Sequence, residues 1–334
     1  MELFNEQYRA ELRAFAYRMF GSLAETERLV EQTFSLAHPG GDSVRSMLCK
    51  IMVKMCLDVM ATQPRRTLPA LSRPPADPFQ PPAPPESAWI WLEPFPDDLY
   101  PELTIESEAR YGARESISLP FVAALQLVPP QERAVVTLCD TMGWRPDQVA
   151  QLLETDLSNV NGMLDQARSA MAQQYHAGLG RRDPPDQEKA TVLSMQYLYS
   201  WETANLDELV NRVTAGVTLQ IPPSPSWYRG LDAVRRHIAS YALGGDAKGR
   251  WRLLPRRANG QLAFGVYELD DASLVYRGHS IQVLTFEGDL VSEIISFANR
   301  SLFPAFRLRP QVIVQGRMAS RGKTERQEDD KSFI

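Results

Sequence analysis

The hydrophobic positions change their period along the chain. Over residues 1–66 they recur every three to four residues, the spacing of one helix face. Leu12, Phe15, Ala16, Met19 and Phe20 form a first stripe, which stops at Gly21-Ser22. Leu29, Val30, Thr33 and Phe34 form a second. Val44, Met47, Leu48, Ile51, Met52, Met55, Cys56, Val59 and Met60 form a longer third. Residues 111–180 carry the helical period again. From 188 to 310 one or two helices lead into short β-rich runs at 217–221, 251–255, 262–269, 274–284 and 290–297. Ala258-Asn259-Gly260 and Glu287-Gly288-Asp289 punctuate these runs as turns, and the second reads as a hairpin. The expected fold class is therefore multidomain: two all-α helical domains followed by an α+β domain with a curved antiparallel sheet.

Proline marks the boundary between the two helical pieces. Twelve of the 25 prolines fall between Pro64 and Pro101. Proline lacks an N–H and fixes φ, so residues 67–110 read as an extended linker, partly polyproline II. The domain plan is then 1–66 helical, 67–110 linker, 111–180 helical, 188–310 α+β and 311–334 a disordered tail.

Inside the second helical piece, Pro129-Pro130 opens a helix that buries Ala134, Val135 and Leu138. Pro146 opens another, with Val149, Leu152 and Leu153 inward. After a short turn at Glu154-Thr155-Asp156, Leu157, Val160 and Leu164 face inward, while Ser158, Asn159 and Asn161 face out. Two helices across a three-residue turn read as a helix-turn-helix whose second helix offers polar residues to a major groove. An ordinary helical hairpin is the alternative.

Composition narrows the function classes. With 44% hydrophobic and 23% charged residues the chain supports a sizeable core. The net charge of −5 speaks against a non-specific nucleic-acid coat. That charge is local: residues 67–110 hold two arginines against eight acids. Residues 131–182 hold five arginines against six acids, which is little positive charge for a phosphate-binding surface. Cys49, Cys56 and Cys139 are too scattered for a disulfide framework or a zinc set and read as small buried residues. No signal peptide or 20-residue apolar span is visible, so a cytoplasmic protein without a membrane is expected. No cofactor is expected.

Three blocks carry a resemblance. Tyr17-Arg18-Met19-Phe20-Gly21-Ser22, Glu25, Glu27, Val30, Thr33-Phe34 and Cys56-Leu57-Asp58 make the first. Trp91-Leu92-Glu93-Pro94-Phe95-Pro96-Asp97, Arg114-Glu115-Ser116 and the stretch from Phe121 to Arg168 make the second. Pro225-Ser226-Trp227-Tyr228-Arg229-Gly230, Trp251-Arg252-Leu253, Arg257-Ala258-Asn259-Gly260-Gln261 and Leu302-Phe303-Pro304 make the third. In this order they resemble the extracytoplasmic-function (ECF) sigma factors, in the subgroup with a fused C-terminal SnoaL-like domain. The resemblance implies sigma region 2, then region 4, then a SnoaL-like cone that tunes the other two. Arg28 interrupts the family's acidic run, Met47 and Cys49 stand where it carries aromatics, and Gln166 replaces a customary arginine.

The implied partners are core RNA polymerase and promoter DNA. Glu25, Glu27, Val30 and Phe34 are the polymerase-binding candidates. Lys50, Lys54, Arg65, Arg66, Arg145 and Arg168 are candidates for DNA phosphates, and Ser158, Asn159 and Asn161 for base edges. Trp89, Ile90 and Trp91 are the expected tether to the third domain. In that domain Trp227, Tyr228, His237, His279 and Glu293, with Asp232, are pocket candidates for a small-molecule ligand, or for proton transfer if the domain is an enzyme. Trp227-Tyr228-Arg229-Gly230 reads equally as a structural corner. Two alternatives stay open: a degenerate sigma-like regulator that binds promoters weakly, and a small-molecule sensor or enzyme built on the cone.

Overall fold

The computed structural model describes residues 2–37, 43–87, 90–100, 116–174 and 187–313. Helix α1 (Glu2–Phe20) stops at Gly21, whose φ of +63° suits a residue without Cβ. A side chain there would also overlap Leu92 Cδ2. Helix α2 (Leu23–Leu36) is capped twice: Ser22 Oγ accepts from Glu25 N, and Glu93 Oε2 accepts from Leu23 N at 2.7 Å. A carboxylate at a helix N-terminus is favoured by the helix dipole. Helix α3 (Val44–Met60) is capped by Ser43. The centres of the three expected stripes are buried (Leu12, Phe15, Ala16 and Met19; Leu29, Val30 and Thr33; Leu48, Met52 and Cys56), while in the third stripe Val44 is exposed and Met47, Ile51, Met55, Val59 and Met60 are half-buried.

After a one-turn helix α4 (Pro69–Ser72) come α5 (Leu119–Leu125), α6 (Pro130–Val136), α7 (Pro146–Leu152) and α8 (Leu157–Gln174). The two helical pieces, separate in the sequence reading, share one core. Leu12, Phe15, Met19, Met52 and Val53 pack in the same cluster as Leu125, Val135, Leu138, Val149, Val160 and Leu164. Each piece has too few apolar residues on too few helices to enclose a core alone, so their apolar faces close on each other.

The C-terminal piece opens with α9 (Gln187–Glu202) and α10 (Leu206–Val210). Its seven strands are β1 (Val213–Gln220), β2 (Trp227–Arg229), β3 (Trp251–Ala258), β4 (Gln261–Asp270), β5 (Val275–Glu287), β6 (Leu290–Phe297) and β7 (Gln311–Ile313), with α11 (Leu231–Tyr241) after β2. The order is β2-β1-β6-β5-β4-β3, with β7 added to β5; β1 and β6 run parallel and the other pairs antiparallel. The sheet is therefore mixed, because β1 and β6 are not joined by a hairpin. Gly288-Asp289 makes the expected hairpin between Glu287 and Leu290. Asn259-Gly260 makes a second two-residue turn with φ of +56° and +71°.

Two readings of the connecting segments are corrected. Gln311–Ile313 of the tail pairs with Val275–Arg277, so order extends past 311; residues 314–334 lie outside the described set. The proline-rich segment is a strap laid along the C-terminal domain rather than a free linker. Ala76 N donates to Trp227 O (2.7 Å), Ala83 N to Ser226 Oγ (2.8 Å), and Glu86 N to Pro223 O (2.9 Å). Polyproline II leaves its backbone groups free for such outside partners.

The sheet is covered on both faces. On one, Leu253, Phe264, Leu284 and Ile294 pack against Tyr197 and Trp201 of α9 and Val234 and Ile238 of α11. On the other, Ala263, Ile281, Val283 and Ile295 pack with Tyr17, Leu92, Phe95, Val122, Ala123 and Phe303. All three pieces and the strap thus meet on the second face.

Candidate nucleic-acid interface

The helix-turn-helix forms as the sequence predicts, except that Leu157, expected to face inward, is exposed at the first position of α8, before the helix meets the core. Pro146 occupies the first turn of α7, and Glu154, at φ +55°, reverses the chain into α8. Val160, Leu164 and Ala167 face the core, while Ser158, Asn159, Asn161 and Arg168 are exposed. Asn159 has local work: its N–H donates to Asp156 Oδ1 (2.7 Å) and its Nδ2 to Thr155 Oγ1 (2.9 Å). Leu57 of α3 and Ala61 just after its end line a cleft with Asn159 and Met163, so the front of α8 faces the N-terminal unit.

Most candidate phosphate contacts are already engaged. Lys50 Nζ lies 2.7 Å from Glu154 Oε1, joining α3 to the turn before α8. Lys50 also holds the Glu154 carboxyl below its ordinary range, first by hydrogen bond and then by charge. Arg168 pairs with Asp140 (2.6 Å) and Arg145 with Asp147 (2.7 Å). Arg66 Nη1 donates to Trp91 O (2.9 Å), and burial pulls its guanidinium below the ordinary range. Lys54 and Arg65 are exposed.

The polymerase candidates divide. Glu27 pairs with Arg13 (2.8 Å) and Glu25 with Arg28, both at the surface of α2. Phe34 is half-buried under Arg9, whose guanidinium sits 4.8 Å from the ring centroid. Val30 is fully buried, so here it packs the core instead of facing a partner.

The joint between the pieces centres on residues that stand in all three blocks of the resemblance but carry no site role in the sequence reading. Asn259, fully buried at the tip of the β3–β4 hairpin, accepts from Phe95 N (2.7 Å) through Oδ1. Its Nδ2 donates to Tyr17 OH (2.9 Å) and Ile117 O (2.7 Å). Tyr17 OH in turn donates to Glu93 O (2.7 Å). One amide side chain therefore touches α1, the strap and the entry to α5. Beside it Gly260 N donates to Asp97 Oδ1 (2.8 Å), and Arg257 Nε lies 3.2 Å from Asp97 Oδ2. The turn type was legible as Asn-Gly; the tertiary partners were not, because no local rule encodes them.

The pocket candidates do not converge. Trp227 is buried against the strap, its Nε1 donating to Arg73 O (2.9 Å), as a structural corner would be. Tyr228, His237 and Tyr241 stack, with centroids 4.3 and 4.8 Å apart. Burial depresses His237 to about 4 and also lowers His279, which meets the Trp251 ring edge-on at 5.2 Å. Glu293 lies with Ile295 on the opposite sheet face, since strand neighbours alternate. There it accepts from Gln220 Nε2 (2.8 Å) and Thr285 Oγ1 (3.2 Å). Gln220 Oε1 accepts from Ala70 N of α4, and Gln261 joins Thr285 to Leu119 N of α5. Glu293 thus belongs to a polar chain between the pieces. Asp232 sits with Phe79 and Arg236 at the strap edge. Trp89 lies outside the described residues; its neighbour Trp91 is buried.

Burial pushes the Cys49 thiol up to about 12 and raises Cys56, as expected of packing residues. Among the described residues there is no metal-binding cluster and no helix long and apolar enough to cross a membrane.

Comparison with known proteins agrees with this geometry. The family model for sigma-70 region 4 matches residues 118–171. The chain is 35% identical over 311 residues to the ECF RNA polymerase sigma factor SigG of Mycobacterium tuberculosis, covering 91% of this chain and 82% of the relative. The crystal structure of the Mycobacterium tuberculosis ECF sigma factor SigJ superposes with a TM-score of 0.60 at 19% identity, over 92% of this chain and all of that one. An NTF2-like protein of Cytophaga hutchinsonii matches with a TM-score of 0.26 at 9% identity, over 34% of this chain and 94% of its own.

Proposed function

The chain belongs to the ECF RNA polymerase sigma factors, the transcription initiation factors it matches nearly end to end, and we propose that the arrangement described above is its closed, promoter-silent state. Region 2 is α1–α3, region 4 is α5–α8, and the C-terminal SnoaL-like domain with its strap holds the two together. Core RNA polymerase and promoter DNA are the partners in this reading, and the chain has no catalytic role.

The observation that carries the proposal is the shared core, locked by Asn259. A reading helix must enter a major groove about 12 Å wide. Here the front of α8 faces α3, and the Lys50–Glu154 pair ties the two reading surfaces to each other. A duplex reaches both only when they part. Polymerase supplies the separation if it binds region 2 and region 4 better apart than together, since a ligand shifts an equilibrium only by its differential affinity. Gln126 and Arg133 are the internal counterpart of the lock: Gln126 Nε2 donates to Arg18 O and Arg133 Nη1 to Met19 O at the end of α1.

Promoter-selective transcription with core polymerase tests this. Asn259→Gly keeps the positive φ available and removes only the amide contacts. More transcript from the glycine variant at equal polymerase occupancy is the expected result. An equal or smaller yield from a folded variant contradicts autoinhibition.

A second reading, a polar ligand in the SnoaL-like domain, has one observation in its favour: Nδ1 of both His237 and His279 is buried without a hydrogen-bond partner. Chemical-shift changes at these two rings on metabolite titration are its test.

A further inference from the structure

A cavity of about 310 Å³ opens where the end of α1, the end of α3 and the α5–α6 connection meet. Its size is at the lower end of small-molecule sites. Its polar walls are Gln63, Arg65, Arg66, Gln126 and Arg133, and none of its lining residues is acidic. Met19, Met60 and Pro129 supply apolar walls.

Three guanidiniums around one cleft is an unusual concentration of charge. Arg133 is 2% exposed and faces only carbonyl oxygens: those of Met19, Gln126 and Val128, with the Gln126 side chain. Its donors are used, but no carboxylate neutralises it. Burial and then the charge of Arg65 depress it to about 9. Glu93 and Glu25 offset burial at Arg66 but are not walls of the cleft. Arg65 is exposed and lines the cleft. A buried cation without a counter-ion is costly, and an anion beside it removes that cost. Phosphate is the chemistry that arginines match best, by paired charge-assisted hydrogen bonds.

We propose that this cleft binds a small phosphate-bearing anion, which bridges region 2 and region 4. Arg65 and Gln63 hydrogen-bond the phosphate, and Arg133 contributes its field. The cleft is too small to enclose a duplex, and a DNA backbone phosphate reaching the exposed Arg65 is the competing outcome that the test separates. The site stands on its own geometry; the bridging rests on the closed-state reading. Such an anion would favour the closed state, because it binds both halves only while they touch.

The test uses the full chain with inorganic phosphate and pyrophosphate, against chloride at matched ionic strength. Calorimetry is expected to show one saturable site. The unfolding midpoint should rise about 2 °C at ten times the dissociation constant. Arg65→Glu should weaken binding at least about tenfold, while Arg235→Glu, an equal charge change on α11, should leave it unaltered. No saturable binding, or equal binding by Arg65→Glu, overturns the site. A promoter duplex that depends on Arg65 while both phosphates stay silent assigns the arginine to DNA and overturns it as well. Weaker phosphate binding in Asn259→Gly supports the bridging. Unchanged affinity in that variant, with transcription raised, overturns the bridging alone. If transcription is also unchanged, the closed-state reading fails, and Arg65-dependent binding still supports the site.

Discussion

Asn259 makes three side-chain hydrogen bonds in a fully buried setting, and each joins the C-terminal domain to a different part of the chain. At about 0.5–1.5 kcal/mol per bond, Asn259→Gly should lower stability by about 1.5–4.5 kcal/mol, read by urea unfolding. Asn259→Asp should cost more, because it buries a charge and turns two donors into acceptors. A loss below about 0.5 kcal/mol for both would remove Asn259 from the lock. His237 gives a pH signature at the same scale. Its folded pKa of about 4 lies below the ordinary 6.5, so the unfolded chain binds the extra proton first. Stability from this residue is complete above pH 6.5 and is lost as pH falls towards 4. The thermal midpoint of the native chain should fall across that window more than that of His237→Phe; parallel curves would mean His237 is not the titrating group.

At the scale of elements, the recognition helix is intact but turned towards α3. Asn161→Ala, made in the Asn259→Gly background, should weaken binding to the cognate promoter by about 1–3 kcal/mol while leaving random duplex unaffected. Equal loss on both duplexes would make Asn161 a general contact. The helix-turn-helix, the stripes of α1–α3 and the Asn-Gly and Gly-Asp hairpins were legible because period, proline position and turn chemistry are local. The strap was misread because proline content specifies an extended backbone and says nothing about what lies beside it. β2 and β7, three residues each, carry too few positions for a period. Glu293 looked like a pocket carboxylate because its sheet face could not be assigned before the partner strands were known. Val30 looked available to a partner because a helical stripe does not say which neighbour covers it.

For the whole molecule, the charge distribution and the packing make one picture. The acidic excess sits largely in the strap region, and the few cations of regions 2 and 4 are mostly paired within the protein. In the proposed closed state the protein needs no counter-charge from DNA until it opens. Opening exposes the core shared by α1–α3 and α5–α8, so it requires a partner that covers the exposed surface. The most direct measurement is the distance between region 2 and region 4. Dyes placed at Asp58→Cys and Ser169→Cys, with Cys139 replaced by serine, report it by energy transfer. High transfer in the free protein and a clear fall on addition of core polymerase is the expected result. Transfer that stays high in complexes that are making promoter-directed transcript would contradict the closed-to-open account.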